Sequence, residues 1–495
     1  MKRNILCVAA ALIMTGGVYA QGQFLDDASL NVFKFSQLGL NGTASYVGRA
    51  GAIGALGADF MAASYNPAGL GMFYKSELSL TMAIDNSLTE SRFLGVNSDD
   101  SRTTFNIGSF EALLAVPTEN PGADDFRAIQ FGIGMNRLRS FNNRTYVESG
   151  VTPYSLLDNW SEMANKDGYL DEFSTQMAYN LYLLDTLPGG AFYNNFLSST
   201  ENVYQTRRTT TSGGINEMVF SMSANRDDKL YMGLTIGVPF LSYYRSSTYR
   251  ETVENRGDYF DYTENYDVDA IGFNLKLGVI YRPVEMLRFG FAIHTPTWYD
   301  VKGVYSTRMS NGRTTDHSRE SDDVFAFRTP MKLIGSIGAT FGNQSSSVAG
   351  SLDLDYEFTN YQGMRITALD EEKYISDVNY EMWRKSVNRV LEDNYQSGHT
   401  LRFGGSLNVR HFVLRAGVAY FSNPYREYEE YEHKNVESVL ATAGFGYRTS
   451  NYFVDFAYAH SVYQDWDIPL ANPSYELIRS NYYNNLFITT IGFKF

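Results

Sequence analysis

From Ser76 onward the chain alternates in polarity. In Leu401-Arg402-Phe403-Gly404-Gly405-Ser406-Leu407-Asn408-Val409-Arg410, the residues Leu401, Phe403, Leu407 and Val409 share one face, and Arg402, Ser406, Asn408 and Arg410 share the other. Side chains of an extended strand point alternately to its two faces, so this period marks strands with one apolar side. The pattern recurs at Leu78/Leu80/Met82/Ile84, Ile129/Phe131/Ile133/Met135, Leu287/Phe289/Phe291/Ile293 and Phe487/Thr489/Ile491/Phe493/Phe495. It predicts fourteen strands, near 76–86, 105–116, 126–140, 215–225, 230–245, 267–282 and 286–296, then 323–341, 347–360, 399–410, 412–422, 436–447, 452–463 and 484–495. The connections after even-numbered strands are short and those after odd-numbered strands long. Short turns at one end and long loops at the other are the signature of a transmembrane β-barrel. The fold class expected is therefore all-β, a closed antiparallel barrel of about fourteen strands.

The first residues carry a different signal. Met1-Lys2-Arg3 precedes an apolar run from Ile5 to Met14 and then Val18-Tyr19-Ala20. A charged start, a short apolar middle and small residues before a cut describe a secretory signal peptide over 1–20. No later apolar run is long enough for a membrane helix, so strands must do any crossing. Aromatic residues make up 15% of the chain, with Tyr 37 and Phe 33, which suits the two aromatic rims of a barrel. The mean hydropathy of -0.28 fits a wall that shows only alternate residues to lipid. Cys7 is the single cysteine and lies in the signal, leaving no disulfide or thiolate metal site in the remainder. Net charge is -14, or -16 once Lys2 and Arg3 are removed, which disfavours nucleic acid as a partner.

Residues 21–75 lack the alternation and are rich in small residues, with Gly48, Gly51, Gly54 and Gly57 at every third position. This segment contains Gly48-Arg49-Ala50-Gly51, then Asp59, then Tyr65-Asn66-Pro67-Ala68-Gly69-Leu70. Asn-Pro-Ala-Gly by itself is a turn. Placed between a Gly/Ala-rich N-terminus and fourteen strands, it resembles the FadL family of outer-membrane transporters of hydrophobic compounds. The resemblance is specific over 45–75 and architectural beyond.

The resemblance implies an N-terminal hatch over 21–75 that plugs a barrel over 76–495, with Gly48, Arg49, Gly51, Asp59, Asn66, Pro67, Ala68 and Gly69 as hatch-motif residues. It implies passive uptake of long-chain fatty acids or aromatic hydrocarbons, with sideways exit through a gap made by an inward kink in the third strand. There, Gly132 and Gly134 fall on the lumen face. They suit either the kink or room for the hatch. The largest loop, 141–214, is expected to be partly helical. Leu156, Leu157, Trp160, Met163 and Ala164 form one helical face, and Phe173, Met177, Leu181 and Leu184 a second that stops at Pro188-Gly189-Gly190. Leu156, Trp160, Met163, Met177, Leu181 and Leu184 are the candidate ligand groove. Another helix is expected through Tyr380–Leu391.

Lumen faces carry Lys276, Arg282, Arg288, Lys332, Arg402, Arg410 and Arg415 against Glu77, Glu111, Asp353, Asp355, Glu357 and Asp455. A bracing network of paired charges is the expectation for most of them. The six histidines share no ligand spacing and no nucleophile motif occurs, so no metal, no cofactor and no enzyme activity are expected. Expected partners are a hydrophobic small molecule, outer-membrane lipid and lipopolysaccharide, and the barrel-assembly machinery during biogenesis. The chain is expected to be a monomer in the outer membrane of a Gram-negative bacterium. The alternative is a barrel of this family that docks exported proteins on its large loops.

Overall fold

The structure is a computed structural model that describes residues 19–119, 125–188, 190, 193–197, 201–342, 348–368, 378–426, 436–467, 469–470 and 476–495. Most of the expected signal peptide lies outside the described residues. Fourteen strands close into an antiparallel barrel. They are β1 (Glu77–Phe93), β2 (Val96–Pro117), β3 (Phe126–Ser140, continued by Asn143–Glu148), β4 (Val203–Arg226), β5 (Leu230–Val253), β6 (Tyr259–Val284) and β7 (Leu287–His294, continued by Trp298–Ser310). The second half is β8 (Ser321–Arg328 with Lys332–Phe341), β9 (Val348–Thr359), β10 (Gly398–Val409), β11 (Phe412–Phe421), β12 (Ser438–Arg448), β13 (Tyr452–Asp467) and β14 (Ile478–Lys494). The ladder between β1 and β14 runs from Glu77↔Lys494 to Arg92↔Arg479 and closes the wall. Closure leaves no sheet edge, which is what hydrocarbon demands of a spanning sheet.

The alternation sorts the side chains as the sequence implies. Leu401, Phe403, Leu407 and Val409 point outward and are exposed, as are Phe487, Ile491 and Phe493, while Thr490 and Arg402 are buried inside. Several strands outrun their expected limits at one end. The segment 87–104 reads as a long loop, yet β1 and β2 continue through it to the turn at Leu94-Gly95. Both turn residues have positive φ, 45° and 80°. That is the twist a two-residue hairpin favours. Likewise β5 and β6 run on to a five-residue link at 254–258. Past the lipid band both faces of β1 and β2 are polar (Ser87, Thr89, Ser91; Asp99, Asp100, Arg102), so the period-two contrast vanishes while the ladder continues. The parity of connection lengths is therefore partly a parity of strand overhang. The long connections that remain, 149–202, 360–397 and 422–437, lie at the same end.

Five helices are relevant here: α1 (Tyr19–Ser36), α2 (Ala44–Val47), α3 (Leu156–Asp167), α4 (Thr175–Asn180) and α5 (Val378–Asn394). The chain from Ala28 to Gly71 lies in the lumen as a plug. Two short 3-10 turns, Phe60–Ser64 and Pro67–Met72, complete it. Two apolar clusters fill the barrel in sequence along its axis. One packs Ala44, Val47, Ile53, Phe60 and Leu70 against inward residues such as Leu113, Val219 and Ile488. The other packs Val32, Phe33 and Phe35 against Tyr243, Phe325, Phe327 and Leu391.

Two exposed lysines test the topology. Lys166→Cys, on the long-loop end, should react with a membrane-impermeant maleimide on intact cells; Lys229→Cys, in the turn between β4 and β5, should react only after lysis. The reverse pattern would overturn the assignment of ends.

Candidate functional site

The Asn-Pro-Ala motif meets the wall where the wall has no side chains. Gly233 on β5 and Gly278 on β6 are register partners. A Cβ on Gly278 would come within 2.0 Å of Asn66 Oδ1, and one on Gly233 within 2.2 Å of the Pro67 carbonyl carbon. Asn66 is buried; its Nδ2 donates to Gly54 O at 2.6 Å, and its Oδ1 accepts from Ala68 N at 3.3 Å. A second notch lies opposite. Gly404 on β10 pairs with Gly417 on β11, and both abut the Arg49 backbone, at 2.3 and 2.5 Å from a Cβ. These four wall glycines escaped the sequence reading. Their signal was present: glycine at a lumen position of a strand marks close backbone approach.

The remaining motif residues shape the plug itself. Asp59 accepts from Thr43 Oγ1 at 2.8 Å and from Met61 N at 3.0 Å, capping the first 3-10 turn. Arg49 turns back on Ser45, with Nε donating to the Ser45 carbonyl at 3.1 Å. Gly57 packs on Gly69, and Ala58 N donates to Gly69 O at 3.1 Å, tying the two glycines' segments together. Gly51 takes φ +80° beside Tyr46, and Gly48 lies against Gly444 of β12. Ala68 is fully buried on Tyr231 and Ile280.

Two carboxylates of β9 grip the plug backbone. Asp355 accepts from Ile53 N at 3.1 Å and Gly54 N at 3.0 Å; Asp353 accepts from Ala55 N and Leu56 N, both at 3.2 Å. A hydrogen bond to a charged acceptor contributes about 1.5–3 kcal/mol. The other lumen charges mostly pair with one another. Glu357 meets Lys332 at 3.0 Å and Arg402 at 2.8 Å, Asp455 meets Arg415 at 3.0 Å and also Arg448, and Lys276 meets Glu217. Arg402 also donates to Tyr65 Oη at 3.0 Å, so the pairs hold plug as well as wall. Arg410 is an exception to the expected lumen set: it sits exposed in the turn after β10 with φ 56°. At the short-turn end the plug leaves through Tyr74, whose hydroxyl bonds Asp228 and accepts from Asn225 Nδ2 at 3.0 Å. Partial burial, with the Asp228 carboxylate beside it, raises the Tyr74 pKa.

The third strand bends, but not at Gly132 and Gly134. Across both glycines β3 pairs regularly with β2 and with β4. Their missing side chains make room for the Phe60 ring, which would lie 3.1 and 2.7 Å from added Cβ atoms. Besides a shift between Phe126 and Ala128 at the start of the strand, the irregularity falls beyond the glycines, where Leu138 is an extra residue between Arg137↔Asn216 and Arg139↔Ile215. The β2–β3 ladder stops at Ser109↔Asn136. Beyond it β3 resumes as Asn143–Glu148, paired with β4, and Thr89, which points inward from β1, donates to Asn143 Oδ1 at 3.3 Å. The strand has stepped to the lumen side of the β1–β2 hairpin. Side chains bridge the step: Asn142 Nδ2 lies 3.2 Å from Thr104 Oγ1 and 3.3 Å from Asn106 Oδ1. The plug supports the bulge as well. Gly39 N donates to Leu138 O at 3.0 Å, and Arg139 Nη1 donates to the carbonyls of Lys34 at 3.0 Å and Gln37 at 2.7 Å.

Among the described residues the outer helices leave no open groove. Leu156, Trp160, Met177, Leu181 and Leu184 are buried together with Leu157, Tyr249, Phe260, Tyr262 and Met309. Trp160 meets Tyr262 edge-on at 5.1 Å. Met163 faces away, 37% exposed. Leu181 caps the short α4, and Leu184 belongs to a two-stranded hairpin, Leu184–Thr186 with Tyr193–Asn195, so the second helix ends earlier than expected. Gly189 lies outside the described residues. Long overhanging strands supply the aromatic wall onto which these helices fold, which explains the difference. Small recesses lie near this end. One is lined by Phe93, Val147, Gln205, Tyr249, Leu470 and Ile478. Another lies beside Ala28 and Asn31, with Arg245, Glu264, Tyr266, Tyr305 and Asp323 around it; each holds about 20 Å³, room for a water-sized group.

The notch at Gly233 and Gly278 makes a direct prediction. Gly278→Ala should dislodge Asn66 without opening the wall, because overpacking of this kind costs about 1–3 kcal/mol and falls on the plug side. Limited proteolysis should then cut within 48–69, while the barrel keeps its heat-modifiable mobility; a protected plug would refute the contact. Asp353→Asn with Asp355→Asn, which keeps shape but removes charge, should weaken the plug in the same assay with no change at the notch.

No family model and no curated protein matches this chain by sequence. Solved structures do match in shape. A FadL homologue of Pseudomonas aeruginosa superposes with a TM-score of 0.56 at 14% identity, covering 92% of this chain and 99% of that one. The Pseudomonas putida toluene transporter TodX superposes with a TM-score of 0.50 at 11% identity, covering 92% of this chain and 98% of that one. The chain thus has the fold of the FadL-type channels, a closed barrel of fourteen antiparallel strands with its own N-terminal segment plugging the lumen.

Proposed function

We propose that this protein is a passive channel for hydrophobic small molecules in the outer membrane of a Gram-negative bacterium. The observation that carries this reading is a conjunction. Above the polar anchors of the plug, the lumen is lined by apolar and aromatic side chains, and beside that lining the wall ladder stops at Asn136. A channel for polar solutes needs a wet, polar bore. An apolar chamber beside an interrupted wall serves a compound that must leave sideways into lipid. The plug closes the straight route, since Ala44 to Leu70 packs against the wall on every side with buried residues.

The proposed path runs from the recess at Phe93, Val147 and Ile478 into the aromatic chamber, then out where β3 steps inward. Hatch residues Asn66, Pro67 and Ala68 hold the floor of the chamber through the glycine notch, and no step along the path requires an energy source. In lipid, an unpaired backbone group costs several kcal/mol, and the plug relieves one at the gap, since Gly39 N donates to the Leu138 carbonyl. The shape likeness to a FadL homologue and a toluene transporter supports the reading.

Two measurements test it. Cells with the protein should take up radiolabelled naphthalene or oleate faster than cells without it, and equal rates for both probes would overturn the channel reading. Deleting Leu138, the bulged residue, should let β3 stay in register with β2 and close the step. Uptake should then fall about tenfold while the barrel still folds; unchanged uptake would replace the lateral exit with an axial one.

A further inference from the structure

A charged seam runs up the outside of the wall where β3 has stepped inward. The β1–β2 hairpin overhangs it on one side. Asp100 and Arg102 of β2 lie on the hairpin face that also carries Thr104 and Asn106, the two residues that meet Asn142. On the other side lie the upper segment of β3 and the upper part of β4, where Tyr146 pairs with Arg208 and Arg144 with Thr210. Gln205 and Arg207 of β4 point inward and are buried, so Arg144, Tyr146 and Arg208 face outward, toward the hairpin. Ser98 Oγ donates to the Tyr146 carbonyl at 2.9 Å, and Arg102 Nη1 donates to the Thr211 carbonyl, which sets the two sides against each other.

Three guanidinium groups meet one carboxylate in this seam. Asp100 accepts from Arg144 Nε at 2.8 Å, and Arg208 Nε stands 3.6 Å from its other oxygen. Arg144 also donates to the Ser101 carbonyl at 2.8 Å. Among the described residues Arg102 pairs with no carboxylate, and Arg208 makes no hydrogen bond; its guanidinium lies over the Tyr146 ring at 5.1 Å. Glu148, next along that outward face, is within ion-pair distance of none of the three. Two positive charges are therefore uncompensated here, in a chain whose net charge is -14. The rim on β6 and β7 has the opposite character. Directly above the lipid-facing Ile271 and Trp298, the residues Asp267, Asp269 and Asp300 are exposed, with Lys302 opposite Asp269.

We infer that this seam binds a phosphate group of an outer-leaflet lipid, with Arg102, Arg144 and Arg208 as its ligands. The inference rests on the reading of this chain as an outer-membrane protein.

Charge and position both point to that ligand. A phosphate monoester carries about 1.5 to 2 negative charges near neutral pH and offers three acceptor oxygens, which matches the two uncompensated guanidinium charges. A carboxylate would leave one of them over. The planar fork of arginine suits phosphate oxygens, and every cation in the seam is an arginine. The seam opens outward, past the lipid band, and not into the lumen. On the same outward face of β4, further down, Met218 and Phe220 are 40% and 44% exposed to lipid. A lipid with its phosphate in the seam would lay its acyl chains on that apolar surface. A soluble phosphate would use the charges alone. Bound there, the phosphate would also bridge the hairpin to β4 across the upper end of the step.

The test uses the whole protein in maltoside micelles, which contain no phosphate. Native mass spectrometry measures its binding of lipid A, the phosphorylated anchor of lipopolysaccharide, and of the same lipid stripped of phosphate. The natural chain should prefer the phosphorylated form at least tenfold, and Arg102→Gln with Arg144→Gln and Arg208→Gln should remove that preference. Equal binding of the two lipids by the natural chain would overturn the site. Oleate bound through the same arginines as tightly as lipid A would overturn phosphate in favour of a carboxylate. Inorganic phosphate displacing lipid A at an equal concentration would overturn the lipid as its source. Should the triple variant not fold, Arg208→Gln alone, which breaks no hydrogen bond among the described residues, should lower the preference at least threefold; an unchanged preference would refute the inference. Lys302→Gln should leave the preference intact, and a loss as large as that of Arg208→Gln would reduce the effect to general surface charge. Density-gradient fractionation of cells tests the outer-membrane reading separately. Recovery of the chain with the inner membrane would sink that reading, whatever the micelles show.

Discussion

The requirement that every backbone N–H and C=O in hydrocarbon find a partner governs this molecule. It forces the β1–β14 ladder to close, from Glu77↔Lys494 upward, and it makes any interruption of the wall costly. The interruption at the third strand is accordingly not left bare. Where β3 parts from β2 after Asn136, the bulged Leu138 carbonyl is taken by Gly39 of the plug, and Asn142 reaches Thr104 and Asn106 across the step. Wall and plug are thus a single hydrogen-bonded system: the plug supplies the groups that let the wall depart from regularity.

The plug is fixed by two complementary devices. Backbone meets backbone at the paired glycines Gly233/Gly278 and Gly404/Gly417, where a single Cβ would collide with Asn66, Pro67 or Arg49. Carboxylates meet backbone at Asp353 and Asp355, which hold four consecutive N–H groups from Ile53 to Leu56. The first device sets position by shape, the second by charge. Around them, pairs such as Glu357 with Lys332 and Arg402 compensate buried charges that would each be costly alone. The lumen is consequently polar where it grips the plug and apolar where the plug's helix lies among aromatic rings.

That division bears on the proposed transport role. A tightly gripped segment near Asn66 and a helix end held mainly by ring contacts at Phe33 and Phe35 differ in what can displace them. Hydrophobic rings compete with ring contacts and not with carboxylate–amide bonds.

The sequence by itself determined the class, the strand number and the facing of most strand residues, Arg410 being an exception. Every one of the fourteen expected segments lies on a barrel strand, because alternation records a real contrast: lipid touches one face and the lumen the other. The same contrast explains what stayed hidden. At 87–104 both faces are polar, and at 246–266 the aromatic residues Tyr249, Phe260 and Tyr262 face inward while the outward face is polar, so strands there look like loops. The motif at Asn66 was legible, but its glycine seats at 233 and 278 were not, since nothing local says which residues some two hundred positions apart will meet. The third strand's step moved from Gly132 and Gly134 to Leu138 for the same reason. A glycine in a strand means only that something comes close, and only the folded lumen decided that Phe60 fills that space while the bulge falls where Gly39 can satisfy it.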